Sequence, residues 1–219
     1  MHPFYSAKSF ELFSVSGTQF SEKDYCPISL SVYDSNVAAV DLTTFSGLSR
    51  YINKILKKNN AKIAFGGYGE RRAIYTQSTH FNDSDDPRCI HLGIDFWTAA
   101  HTPIYAPLDG KIHSFQYNDK PLDYGATIIT EHTYDDKIFW LLFGHLSLTS
   151  LKNLEVGQTI NRGDKLATLG EPHENGGWVP HLHLQCIMEL GDWVGDFPGV
   201  ATVSEAAHYL SICPSPLEL

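Results

Sequence analysis

Between residues 88 and 190, the hydrophobic positions fall in short β-prone runs bounded by Gly, Pro, Asn and Asp. The runs are CIHLGIDF, TPIYAP, GKIHSFQYN, GATIITEHT, KIFWLLFGHLS, KLATLG and PHLHLQCIME. A period of two sends successive side chains to opposite faces of a strand, and short strands separated by turn residues predict an all-β sandwich or barrel. EVGQTINRGDKL, with its two glycines, reads as a turn-rich connection. Upstream the period changes. In FSGLSRYINKILKKNN, Phe45, Leu48, Tyr51, Ile52, Ile55 and Leu56 recur at three- and four-residue intervals, which predicts an amphipathic helix covering one side of a sheet. Lys54, Lys57 and Lys58 suit the negative end of its dipole, and Asn59 and Asn60 serve as stop residues. Residues 1–40 are weakly strand-like, and the tail predicts one short helix over 204–210. The pattern shifts near residue 80, dividing the chain into an N-terminal α/β extension (1–80), a β-rich domain (81–195) and a tail (196–219).

A chain of 219 residues and 24.5 kDa holds one large domain, or a domain with a substantial extension. Sixteen Lys and Arg against 25 Asp and Glu leave a formal charge of −9 with no basic stripe, so nucleic acid is excluded as a partner class. The start, MHPFYSAKSFELFSVSG, has neither a cationic leader nor an apolar run, and no stretch approaches the ~20 apolar residues of a membrane span. The expectation is a cytoplasmic protein, or a secreted one if a leader has been removed. Cys26, Cys89, Cys186 and Cys213 are scattered without a CxxC pair, and predict free, mostly buried thiols.

The eleven histidines change the picture most, because imidazole is both the commonest metal ligand and a proton shuttle near neutrality. Three segments place them where β-runs end or turn: HLGID (His91 to Asp95), GHLS (with His145) and HLH (His181 and His183). On a straight strand the ends of HLGID would lie ~13 Å apart, too far to share an ion. Gly93 offers a bend or bulge that brings His91 and Asp95 together. Two histidines and one carboxylate suit Zn²⁺ in a site that keeps a position open for water. The helical zinc signature HExxH is absent, so such a site must be built on strands. In HLH, positions i and i+2 face the same way, roughly 6–7 Å apart. An ordinary strand with two histidines on its polar face is the plainer alternative.

HLGIDF, YAPLDGKI, YGATIITEH, FGHLS, VGQTINRGDKLATLG and PHLHLQ, in that order, resemble the lysostaphin/LytM-type zinc endopeptidases, metallopeptidase family twenty-three. The resemblance covers roughly residues 88–190. It implies an antiparallel barrel-sandwich hybrid (the duplicated hybrid motif) and hydrolysis of peptide bonds, typically in bacterial peptidoglycan. It further implies one zinc ion on His91, Asp95 and His183, and a catalytic pair, His145 and His181. In that chemistry zinc acidifies water and polarises the scissile carbonyl, and the two imidazoles exchange protons or steady the oxyanion, their division of labour left open.

Other positions are given lesser parts. His132 reads as structural or surface, His101 and His113 as solvent-facing, and His173 as a surface-loop residue. Glu171, Glu174 and Trp178 are candidates for substrate contact, while Arg88 and Tyr105 are near the metal segments in sequence only. The loop GEPHENGGWVP and the continuation Leu184, Gln185 depart from the family pattern, and point to a peptide or amide that need not be cell wall. Two further readings are a non-catalytic zinc-binding regulatory module and a phosphohistidine carrier.

Overall fold

The computed structural model describes residues 13–17, 19–77 and 85–218; the first twelve residues and the junction near residue 80 lie outside them. Within 1–40 the strand-like patterning yields one short strand, β1 (Tyr25–Pro27), beside 3-10 turns at Phe13–Ser16 and Glu22–Asp24. The predicted helix is α1 (Phe45–Asn59). Thr44 caps it by accepting the Gly47 N–H at 3.2 Å, and Asn60, left-handed with φ 50°, ends it. Leu48, Tyr51 and Ile52 are buried, whereas Phe45, counted in the apolar face, is half exposed because it opens the helix at the edge of the contact.

Next come β2 (Ile63–Gly66), β3 (Ile90–His91), β4 (Ile94–Trp97), β5 (Pro103–Tyr105) and β6 (Gly110–Asn118). The long hairpin β7 (Gly125–Tyr134) and β8 (Lys137–Leu146) follows, then β9 (Thr159–Ile160), β10 (Lys165–Thr168), β11 (His181–Ile187) and β12 (Val200–Ala201). Eight of them form one sheet in the order β1-β2-β4-β11-β8-β7-β6-β9, and β10–β5 and β12–β3 form two small ribbons. Among the described residues only β1–β2 pairs parallel; every other ladder is antiparallel. The fold is the mainly β hybrid expected, and its large sheet is open rather than closed into a barrel. The connection EVGQTINRGDKL holds β9, two residues that are too short for periodicity to reveal. The tail helix, α2 (Ala206–Ile212), sits two residues later than expected.

Strand β11 lies between β4 and β8 and is buried along its whole length. Leu182 and Leu184 enter the core with Ile94, Phe96, Leu141 and Phe143, each such side chain stabilising the fold by about 1.5–3 kcal/mol. His181 and His183 occupy the opposite face and are buried too, so the ordinary polar strand face is ruled out.

All four cysteines are free and buried. His132 is structural and buried: Nδ1 contacts the Asp109 carbonyl at 2.8 Å and Nε2 the Thr130 hydroxyl at 2.6 Å. Burial holds it below the ordinary value of 6.5, so folding favours the neutral ring. Its contribution is complete above 6.5 and erodes as the pH falls toward its lower folded value. A thermal-denaturation series should therefore show acid destabilisation below that point, and His132→Gln should lose part of the slope.

Candidate metal centre

His91 ends β3, and the chain breaks at Leu92 and Gly93 before Asp95 enters β4. The bend anticipated at Gly93 is present, but its main requirement is space. A Cβ there would come within 2.6 Å of the His183 ring and 2.8 Å of the Leu184 carbonyl. Gly93→Ala should therefore displace that ring and overpack the site, at a cost of about 1–3 kcal/mol. Denaturant melts and a zinc titration of the variant check this; wild-type behaviour in both would refute it.

With the chain bent, three atoms converge. His91 Nε2 lies 2.9 Å from His183 Nδ1, and Asp95 Oδ1 lies 3.3 Å from each. Ligand atoms held about 2.0–2.1 Å from a tetrahedral zinc lie about 3.3–3.4 Å apart, so the triangle has the right size. Among the described residues this is the one group of three or more His, Cys, Asp or Glu side chains spaced to hold a metal ion.

The hydrogen-bond network assigns the protons. Gln185 Nε2 donates to the Pro198 carbonyl at 3.0 Å and to Cys213 Sγ at 3.3 Å, so its Oε1 must accept the His183 Nε2–H at 3.0 Å. His91 donates Nδ1–H to the Gly67 carbonyl at 2.9 Å. Both facing nitrogens therefore carry lone pairs. Asp95 Oδ1 is buried without a hydrogen-bond partner, while Oδ2 accepts from Arg72 Nη1 at 2.6 Å. Burial alone would raise the Asp95 pKa, yet His91, Arg72 and His181 hold it well below the usual carboxylate range. Burial, reinforced by Arg72, lowers His91 to about 4. Two neutral imidazoles and a carboxylate with their lone pairs turned on one point form a donor set that a divalent cation fits.

Two more histidines flank that point. His181 stacks on Trp97 (centroids 3.8 Å apart, planes 20°), donates Nδ1–H to the Val179 carbonyl at 2.8 Å, and keeps Nε2 3.8 Å from Asp95 Oδ1. His145 donates Nδ1–H to the Asn175 carbonyl at 3.0 Å, and its ring centroid is 4.2 Å from that of His181. Gly144 and His145 together oppose the single residue Thr127 between the pairs Ala126–Leu146 and Ile128–Phe143. This bulge re-aims the side chain and puts His145 at φ 66°, a conformation costing a non-glycine residue about 1–3 kcal/mol. Burial lowers His181 to about 4 and takes His145 well below its ordinary value, so both rings are neutral near pH 7 with Nε2 unprotonated.

These groups open into a cleft of about 210 Å³ walled by Tyr124, Trp178, Trp193 and Phe197, with Arg88, Asp123 and Asp196 adding charge. Trp178, a candidate for substrate contact, lines this cleft. Glu174 does not: it is buried and accepts the Leu148 and Glu171 N–H groups, bracing its own loop. Glu171 is tied to exposed His101 at 2.9 Å, and His173 is a surface residue as read. His113 proves half-buried within β6, bonded to Ser114, rather than solvent-facing. Arg88 is near the centre in space as well as in sequence, while Tyr105 lies outside the cleft. Sequence reasoning missed Arg72 and Tyr124. Arg72 stands in a Gly-rich, charged turn that reads as solvated. Tyr124 precedes a strand, and its buried hydroxyl has no hydrogen-bond partner among the described residues.

Residues 89–194 match the family described as peptidase family M23. An uncharacterized metalloprotease of Haemophilus influenzae is 30% identical over 95 residues, 43% of this chain and 18% of that protein. A zinc-containing peptidase from Vibrio cholerae is 28% identical over 45% of this chain and 27% of its own, with a TM-score of 0.36. The catalytic domain of lysostaphin from Staphylococcus simulans is 22% identical over 69% of this chain and 93% of its own, with a TM-score of 0.43. The chain thus spans about a fifth of the Haemophilus protein's length and about a quarter of the Vibrio one. The match to peptidase family M23 thus falls on residues 89–194, the stretch whose motifs resemble the lysostaphin/LytM type.

Proposed function

We propose that the protein is a zinc-dependent metallo-endopeptidase that hydrolyses a peptide or amide bond with an activated water. The observation that carries this reading is the convergence of His91 Nε2, His183 Nδ1 and the orphaned Asp95 Oδ1 beside two proton-accepting imidazoles. The family match supports it. His91, Asp95 and His183 would hold the zinc, which when bound would supply Lewis acidity to acidify water and polarise the scissile carbonyl.

The chain's own residues do the rest. His145 and His181 present free Nε2 atoms; one accepts the water proton, and the protonated ring then donates to the leaving amine or steadies the oxyanion. Burial pushes the Tyr124 phenol well above 10, so it remains a neutral donor for a substrate carbonyl. The cleft, below the ~300–1,000 Å³ common for small-molecule pockets, suits a short peptide segment such as a peptidoglycan-type bridge or another small peptide.

The test is metal analysis of protein purified in metal-replete buffer, with digests of peptidoglycan and a mixed peptide library scored by mass spectrometry. One bound zinc and chelator-sensitive cleavage are expected. Absence of zinc would overturn the reading, and zinc without turnover of any substrate would favour a binding module. No observation of the site favours that module or a phosphohistidine carrier.

A further inference from the structure

Of the supports that hold the three converging atoms, two come from a short segment upstream of the matched residues 89–194. Gly67 contributes the carbonyl that fixes the His91 tautomer, and Arg72 contributes the guanidinium that holds Asp95. Arg72 is 3% exposed, and it reaches Tyr75 Oη at 3.4 Å as well as Asp95. Its Nε donates to Glu70 Oε2 at 3.0 Å. Glu70 in turn accepts the Leu30 N–H, with its two oxygens at 3.3 and 3.2 Å. A buried arginine is costly unless its donors are matched, and this one spans two carboxylates with its planar fork. Gly67 has φ 101°, and a Cβ there would collide with Arg72 Nη2, so the backbone at 67 and the guanidinium at 72 are fitted to each other.

The consequence is geometric. With Oδ2 committed to Arg72 at 2.6 Å, Asp95 cannot rotate its carboxylate without breaking a charge-assisted bond. Oδ1 is left as the single oxygen on the His91 and His183 side. We propose that Arg72 is a positioning residue of the metal centre. Anchored by Glu70, it fixes the Asp95 carboxylate so that one oxygen meets the two imidazole nitrogens, and thereby makes the 67–72 segment part of the site. The proposal rests on the metal-binding part of the reading above and adds an element contributed from outside the matched region.

The experiment uses the full chain with Arg72→Met, Arg72→Lys and Glu70→Gln. Zinc affinity is measured by competition with a chromogenic chelator, and ligand geometry by the visible absorption of the cobalt(II)-loaded proteins. Melts of the metal-free proteins are recorded alongside. Arg72→Met should weaken zinc about 10- to 100-fold, the usual effect of losing a group that orients a metal ligand. Its cobalt bands should shift. Arg72→Lys, which keeps the charge but not the fork, should recover part of the affinity, and Glu70→Gln should show a smaller loss. Should Arg72→Met fail to fold, Arg72→Lys and Glu70→Gln decide the matter. Lower melting points with unchanged zinc affinity and cobalt spectra would overturn the proposal and leave Arg72 a purely structural residue, with the metallopeptidase reading intact. A wild-type protein that takes up neither ion would overturn both.

Discussion

Replacing His181 or His145 by alanine should lower peptide hydrolysis by about 10²–10⁴-fold while leaving one metal ion bound. Neither ring belongs to the converging triangle, whose atoms come from His91, Asp95 and His183. Each instead spends its Nδ1–H on a backbone carbonyl, that of Val179 or of Asn175, and keeps Nε2 free beside the cleft. The two variants differ in what else they disturb. His181→Ala removes a ring stacked on Trp97, which should reduce stability as well. His145→Ala leaves a side chain of lesser reach at the same left-handed φ of 66°, so the strain persists and the chemistry is lost. Metal content by elemental analysis beside the cleavage rate is the check. Loss of the ion in either variant would show that the ring serves as a ligand rather than as a proton carrier.

Asp95→Ala should abolish metal binding and destabilise the metal-free fold by about 3–5 kcal/mol. Two effects combine. The triangle loses its only anionic corner, and Arg72 is left buried with one of its two carboxylate partners gone. A charge held out of water without compensation accounts for the stability loss, so Asp95→Ala with Arg72→Met should recover part of it without restoring the metal. Urea melts and zinc titrations on the single and double variants measure both terms. A stable, zinc-binding Asp95→Ala protein would contradict the assigned geometry.

Much of the candidate centre was legible in the chain because its converging residues sit in compact motifs. The period-two spacing of His181 and His183 holds: both lie on one face of β11. HLGID was correctly read as needing a bend, although the stronger constraint at Gly93 is the approach of the His183 ring from a strand 90 residues away. Helix α1 followed from its three- and four-residue spacing, since amphipathic burial dictates that period. What escaped notice had no residue-type signature. The groups that orient the histidines include the carbonyls of Gly67, Asn175 and Val179, and every residue has a carbonyl. Arg72 escaped for a different reason: an arginine next to another arginine in FGGYGERR looks solvated until the partner carboxylates are placed around it.

The hydrogen bonds from Gln185 to Pro198 and Cys213 carry a practical lesson for dissecting this protein. They tie the tautomer of His183 to residues downstream of 194, while Gly67 and Arg72 tie the opposite corner to residues upstream of 89. A fragment trimmed to the matched residues 89–194 would keep all three converging side chains and lose the clamps at both ends. Excised in that way it should hold metal poorly, and grafts into other scaffolds will need the flanking stretches carried along as one cassette.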